Sequence, residues 1–300
     1  AMMRILGIVG VQVCICVPII VFQFCKGKEF FSKEYWGYAL RIGIPIVPHY
    51  LSGIILNQGD RIMIDKMVGK TEVALYGLAY SIGMLVQLFI SGMNSALTPW
   101  MYSKIKKGDI RSMRKVLQLL SIVVVGIAVA LMLISPELVL IFGSPKYREA
   151  VYVIPPVAAS VFFIFIYNIL SMPQFYYEKT QFLMAASMAA AGANVVLNFI
   201  FIRLFGYIAA GYTTLACYML YSVGHYIVSK RILVNEGIQE NLMSPGFLVA
   251  CSVFLIGASI ICNLIFPYRI LRYAILLASA GLVFWKKELL LKTMADIRKK

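Results

Sequence analysis

Charge is what this sequence has least of. Of its 300 residues only 14% are charged, against 61% hydrophobic, and the mean hydropathy is +0.84. A water-soluble domain of that balance would expose far too much apolar surface, so the soluble classes are excluded. Histidine is nearly absent, with two residues. The six cysteines (Cys14, Cys16, Cys25, Cys217, Cys251, Cys262) all lie in or at the end of apolar runs. They form no Cys-x-x-Cys pair and no Cys/His metal spacing, so they read as small buried hydrophobes, and neither metal nor cofactor is expected. The period-two alternation of a membrane β-barrel is missing as well. No signal peptide with a small-residue cleavage site opens the chain, which starts with Ala1 and enters its first apolar run at Ile5. A start inside a longer protein is therefore expected.

What the sequence has in abundance is apolar runs of the ~20 residues that a membrane-spanning helix needs. Nine are bounded by charge clusters or by Gly and Pro, near 5–24, 40–67, 73–100, 116–134, 151–172, 182–202, 207–228, 245–265 and 270–286. The expected fold is an all-α polytopic membrane helix bundle. Basic residues are unevenly shared between alternate loops. One set holds Lys26, Lys28, Lys33 and Arg41, then Lys104, Lys106, Lys107, Arg111, Arg114 and Lys115. It continues with Lys179, Lys230 and Arg231 and ends in Lys286, Lys287, Lys292, Arg298, Lys299 and Lys300. The other set holds only Arg4, Lys66, Lys70, Lys146, Arg148, Arg203, Arg269 and Arg272. The positive-inside rule makes the richer set cytoplasmic, with the C-terminus inside and the N-terminus outside. The net charge of +15 is thus a topology signal, and no nucleic-acid partner is implied. The outside loops are short, so any function lies among the helices or at their ends.

The stretch "SGIILNQGDRIMIDKMVGKTEVALYGLAY", from Ser52 to Tyr80, interrupts this apolarity with Asn57, Asp60, Arg61, Asp65 and Lys66. Two readings are open. In one, the helix stops near Gln58 and a wet loop follows. In the other, a single helix runs from about Leu40 to Val68, stopped by Gly69. Asn57, Arg61 and Asp65 then recur every four residues, and Arg61 and Asp65 form an i,i+4 pair. On the second reading the charges sit at membrane depth. A lone charge there costs at least ~2.5–3.5 kcal/mol unless it meets a partner or a wet interior, which would mark a substrate or ion path. Gly43, Pro45, Pro48, Gly53 and Gly59 lie on the same segment, as in broken helices that line cavities, or simply as in a helix bent to fit its neighbours. His49 is either a hydrogen-bonded core residue or a proton carrier.

A second polar pair, Asn194 and Asn198, shares a helix face at i,i+4 spacing and suits interhelical hydrogen bonding. It opens the pattern Asn194-x3-Asn198, then Leu204-Phe205-Gly206-x2-Ala209-Ala210-Gly211-x2-Thr214. With "IPIVPHYLSGIILNQGDRIMIDKMVG", "EVALYGLAY" and "TPWMYSKIKKGD", it resembles the bacterial polysaccharide transporters. These are the oligosaccharide flippases of the multidrug/oligosaccharidyl-lipid/polysaccharide exporter superfamily. The resemblance covers about Arg41 to Arg231. It departs from the pattern at Arg203, where Pro is common, and at Ala209, where Gly is common.

The resemblance implies a fold like the C-terminal lobe of such a flippase, with flanking helices. Residues 1–37 would hold the last helix of a truncated N-terminal lobe and a cytoplasmic linker. Residues 38–232 would form a six-helix transport lobe, and 233–300 two further helices and a basic tail. A complete cavity would need the missing N-terminal lobe. The resemblance further implies a polyprenyl-diphosphate-linked oligosaccharide as substrate, membrane lipids around it, and a coupling proton or sodium ion. Arg61, Asn57, Asn194 and Asn198 are the substrate-binding candidates, and Asp60, Asp65 and His49 the coupling or charge-pairing candidates. Asn57, Asp60, Arg61 and Asp65 would together line the outward half of the cavity. The alternatives are a drug/cation antiporter of the same superfamily and, from another class, a membrane sugar-repeat polymerase or acyltransferase.

Overall fold

The computed structural model describes residues 2–28 and 31–285; the basic tail beyond, with its topology signal, lies outside them. The described residues form α1 (Met2–Gly27), α2 (Lys33–Met67), α3 (Lys70–Gly83), α4 (Leu85–Lys106), α5 (Ile110–Phe142), a 3-10 helix (Pro145–Val153), α6 (Ile154–Tyr176), α7 (Thr180–Phe205), α8 (Ala209–Asn235), α9 (Pro245–Ile265) and α10 (Arg269–Trp285), with no strand among them. α3 and α4 meet at Met84 and act as one interrupted rod, and the 3-10 helix runs straight into α6. The rods then match the nine apolar runs one for one. Seven of them are long and apolar enough to cross a membrane. The polytopic helical bundle is the architecture expected from the sequence.

The open question at Asp60 has a clear structural answer. α2 continues without a break through Gln58 and Asp65 to Met67, and the N–H groups of Val68 and Gly69 close on Ile64 O at 2.8 and 3.1 Å. The wet-loop reading is overturned: the four-residue polar recurrence is a helical one.

Two compact units divide within α2, at residues 1–44 and 45–300. The first holds α1 and the start of α2. The described side chains of α1 are exposed and mostly apolar, the kind of surface that lipid covers. The second holds the core. α6, apolar on almost every side through its first half, is its central helix. Every residue from Ile154 to Ile166 is buried. Pro155 and Pro156 sit in its first turn, where a missing N–H leaves no hydrogen bond unmade. Around α6 lie α8 and α5, then α4, α9 and α3.

One close approach and one tight turn set the geometry near the site. A Cβ on Gly83 would lie 2.6 Å from Val157 Cγ1, so only glycine lets the end of α3 touch α6. At the end of α7, Gly206 takes φ 75° and its N–H bonds Ile202 O, turning the chain into α8. α10 is tied to α5 by Arg272, whose guanidinium makes two 2.8 Å bonds to the Glu137 carboxylate and one of 2.6 Å to Leu133 O.

Candidate functional site

Along α2, Ser52, Leu56, Asp60 and Ile64 form the buried stripe, one residue every four. Asp60 is wholly enclosed. Its Oδ2 accepts from Tyr76 Oη at 2.5 Å and from Thr214 Oγ1 at 2.7 Å, and its Oδ1 accepts from Asn198 Nδ2 at 2.5 Å. The Asn198 amide also donates to Asn194 Oδ1 at 3.1 Å, while Thr213 donates to Asn198 Oδ1. Hydroxyl and amide donors thus converge on the carboxylate from α3, α7 and α8, in place of a cation. Hydrogen bonds to an ionised acceptor are roughly twice as strong as neutral ones, and here they join four helices at one point.

Asn57 and Arg61 lie one position round the helix from the buried stripe, and they border an open recess of about 720 Å³ between α2, α3, α6 and α8. Asn57 accepts from Tyr80 Oη at 2.7 Å, and its own amide caps Gly53 O at 2.8 Å. Arg61 donates to Gln58 Oε1 at 3.2 Å and lies over the Tyr80 ring, 5.1 Å from its centroid. Its Nε is buried with no partner among the described residues. The lining contains no Asp or Glu. An arginine with no counter-charge, facing a polar recess at membrane depth, is set up to take an anion.

The far end of the recess is built around His49. Its Nδ1 lies 2.5 Å from Ser187 Oγ on α7 and 3.1 Å from Tyr221 Oη on α8. Tyr167 and Asn168 of α6 complete that wall. Tyr167 stacks parallel to Tyr218 at 6.3 Å and lies 4.5 Å from Tyr221.

The candidate residues therefore separate into three places. Asp60, Asn194 and Asn198 meet in the buried knot, while Asn57, Arg61 and His49 border the recess. Two expectations are corrected. Asp60 does not line the recess, because the 100° step between neighbours on a helix turns it into the bundle while Arg61 turns out of it. Asp65 is exposed and makes no ion pair with Arg61 among the described residues, because Arg61 is directed instead to Gln58 and Tyr80. Sequence reasoning passed over Tyr76, Tyr80, Tyr167, Asn168, Thr213 and Tyr218. The one signal available was the i,i+4 tyrosine pair in "EVALYGLAY".

The comparisons with known proteins bear on the same segment. Residues 4–106 match the polysaccharide biosynthesis protein family. The family resemblance seen in the sequence is borne out at that level, and the matched stretch carries His49, Asn57, Asp60, Arg61, Tyr76 and Tyr80. A Haemophilus influenzae protein of the Lsg locus is 28% identical over 172 residues, covering 54% of this chain and 41% of its own length. An uncharacterised membrane protein of the same organism is 29% identical over 191 residues, covering 59% of this chain and 46% of its own length. The chain thus spans less than half the length of the curated relatives it matches. No solved structure matches.

Proposed function

We propose that this chain is the transport lobe of a flippase that moves a polyprenyl-diphosphate-linked oligosaccharide across the bacterial inner membrane. The repeat unit would belong to an O-antigen, capsule or exopolysaccharide. The observation that carries the reading is Arg61: a guanidinium with an unpartnered Nε, in a recess free of carboxylates, on the segment that matches the polysaccharide biosynthesis family. A guanidinium fork suits the oxygens of a diphosphate, and the lipid tail can stay in the bilayer while the polar head crosses. Asn57 and Gln58 flank the fork. The basic loops orient the chain with its C-terminus in the cytoplasm, so that Arg61 lies in the outward half.

The same lining argues against the drug/cation antiporter, which needs carboxylates facing its cavity. An acyl-transfer role would need a free nucleophile. The hydroxyl nearest a histidine, Ser187, is fully buried and lies within 2.6 Å of Leu183 O on its own helix. Coupling to a proton or sodium ion stays part of the proposal, with Asp60 and His49 as its titratable groups.

The test is export of the glycan by cells that depend on the full-length protein. Arg61→Ala is expected to abolish export while protein stays in the membrane. Arg61→Lys should restore little, since a point charge does not replace the fork. Normal export by both variants would refute the reading.

A further inference from the structure

His49 and Arg61 stand on the same helix, twelve residues apart, which is about 18 Å at 1.5 Å per residue. The recess is therefore long, and its two ends differ chemically. Arg61 supplies a charge at one end. At the other, around His49, the lining has neither a cation nor a carboxylate.

The bundle holds His49 through Nδ1. That nitrogen lies 2.5 Å from Ser187 Oγ and 3.1 Å from Tyr221 Oη, the two hydroxyls are 2.8 Å apart, and Ser187 Oγ is 2.6 Å from Leu183 O. Nε2 is left on a half-buried ring of the recess wall, with no partner among the described residues. On α6, the side-chain amide of Asn168 is also half-buried on the wall and is likewise unpaired among the described residues. Tyr50 presents its ring to the recess with 66% of its surface exposed, and Tyr167 stands beside Asn168.

We propose that the His49 end of the recess is a carbohydrate subsite, distinct from the anion site at Arg61, in which His49 Nε2 and the Asn168 amide pair with ring hydroxyls and Tyr50 and Tyr167 cover the ring's C–H face. This rests on the reading of the recess as the path of a glycan. An acyl or prenyl chain here would desolvate Nε2 and the Asn168 amide without replacing their hydrogen bonds, which is unfavourable. A phosphate would meet no cation. A neutral polyol satisfies both polar groups and uses the aromatic faces as well. The chemistry divides the labour: His49 Nε2 and the Asn168 amide engage the hydroxyls, and the tyrosines select for a ring over an open chain.

The test is equilibrium binding to the purified 300-residue chain in detergent, with two kinds of probe. One is inorganic pyrophosphate. The other is a set of lipid-free trisaccharides: maltotriose, triacetylchitotriose and trigalacturonate. At least one trisaccharide is expected to bind, and Asn168→Ala and His49→Phe should each weaken it about tenfold, the worth of one such hydrogen bond. Both variants should keep pyrophosphate binding, which also reports that they fold. Arg61→Ala should lose pyrophosphate and keep the trisaccharide. The subsite is overturned if no trisaccharide binds the unaltered chain, or if binding survives both wall substitutions. Loss of the Arg61 reading appears separately, as pyrophosphate binding indifferent to Arg61→Ala.

Discussion

Asp60 and Arg61 are adjacent in the chain and opposite in surroundings. The carboxylate is sealed among donors from three other helices, and the guanidinium opens on the recess. Replacing Asp60 with Asn would turn an acceptor-only group into one that also donates, against Tyr76, Thr214 and Asn198, which already donate. At least one buried donor then loses its acceptor, at a cost of ~1–3 kcal/mol. Relief of a buried charge would offset part of this, but three donors already converge on the two carboxyl oxygens. Asp60→Asn is therefore expected to lower the thermal midpoint in detergent, and Thr214→Val to lower it less. An unchanged midpoint for Asp60→Asn would mean that the knot does not hold the four helices. The charges at membrane depth were legible from composition and spacing alone. Their separation into knot and recess was not, since it depends on which neighbour each one-residue turn of α2 happens to meet.

The helices themselves were readable, because ~20 apolar residues between charge clusters leave few alternatives in a bilayer. Less readable was the break at Met84, which falls beside the close approach of Gly83 to Val157. Tyrosines also hid in plain view: Tyr76, Tyr80, Tyr167 and Tyr218 count toward the hydrophobic share of the composition, yet their hydroxyls or ring faces shape the site. One short connection shows how the elements are clasped. Asp109 caps α5 by accepting from Ser112 N at 3.3 Å and holds Lys104 Nζ, from the end of α4, at 2.6 Å. The Lys104 hydrogen bond, above all, pulls its carboxyl down to about 2 from the usual 3.8. A depressed value means that the charged form stabilises the fold. That contribution is complete above the usual value and disappears as pH falls through about 2. Asp109→Ala should cost roughly 1 kcal/mol at neutral pH, the worth of an N-cap. The gap between variant and parent in a thermal melt should close as the buffer approaches that acid limit. A gap independent of pH would assign the effect to packing instead.

At the scale of the whole molecule, the basic groups that the structure describes gather at the same helix ends. The α4–α5 connection carries Lys106, Lys107, Arg111 and Lys115, all exposed. The α6–α7 turn adds Lys179, and the last turns of α8 add Lys230 and Arg231, exposed too. The connection at the other end of α5 opens on exposed Ser144 and carries only Lys146 and Arg148. Each exposed cation near an anionic cytoplasmic leaflet gains about 1 kcal/mol, so the whole set biases one orientation even though each member contributes little. On the proposed orientation, Arg61, six residues from the end of α2, would lie toward the outer leaflet, where a diphosphate would be delivered rather than collected. Single cysteines read the orientation directly, on a background with Cys14, Cys16, Cys25, Cys217, Cys251 and Cys262 replaced by Ala. In intact cells an impermeant maleimide is expected to spare Ser103→Cys and to modify Ser144→Cys, and after permeabilisation it should modify both. Labelling of Ser103→Cys from outside would invert the topology, and with it the direction of the proposed transport.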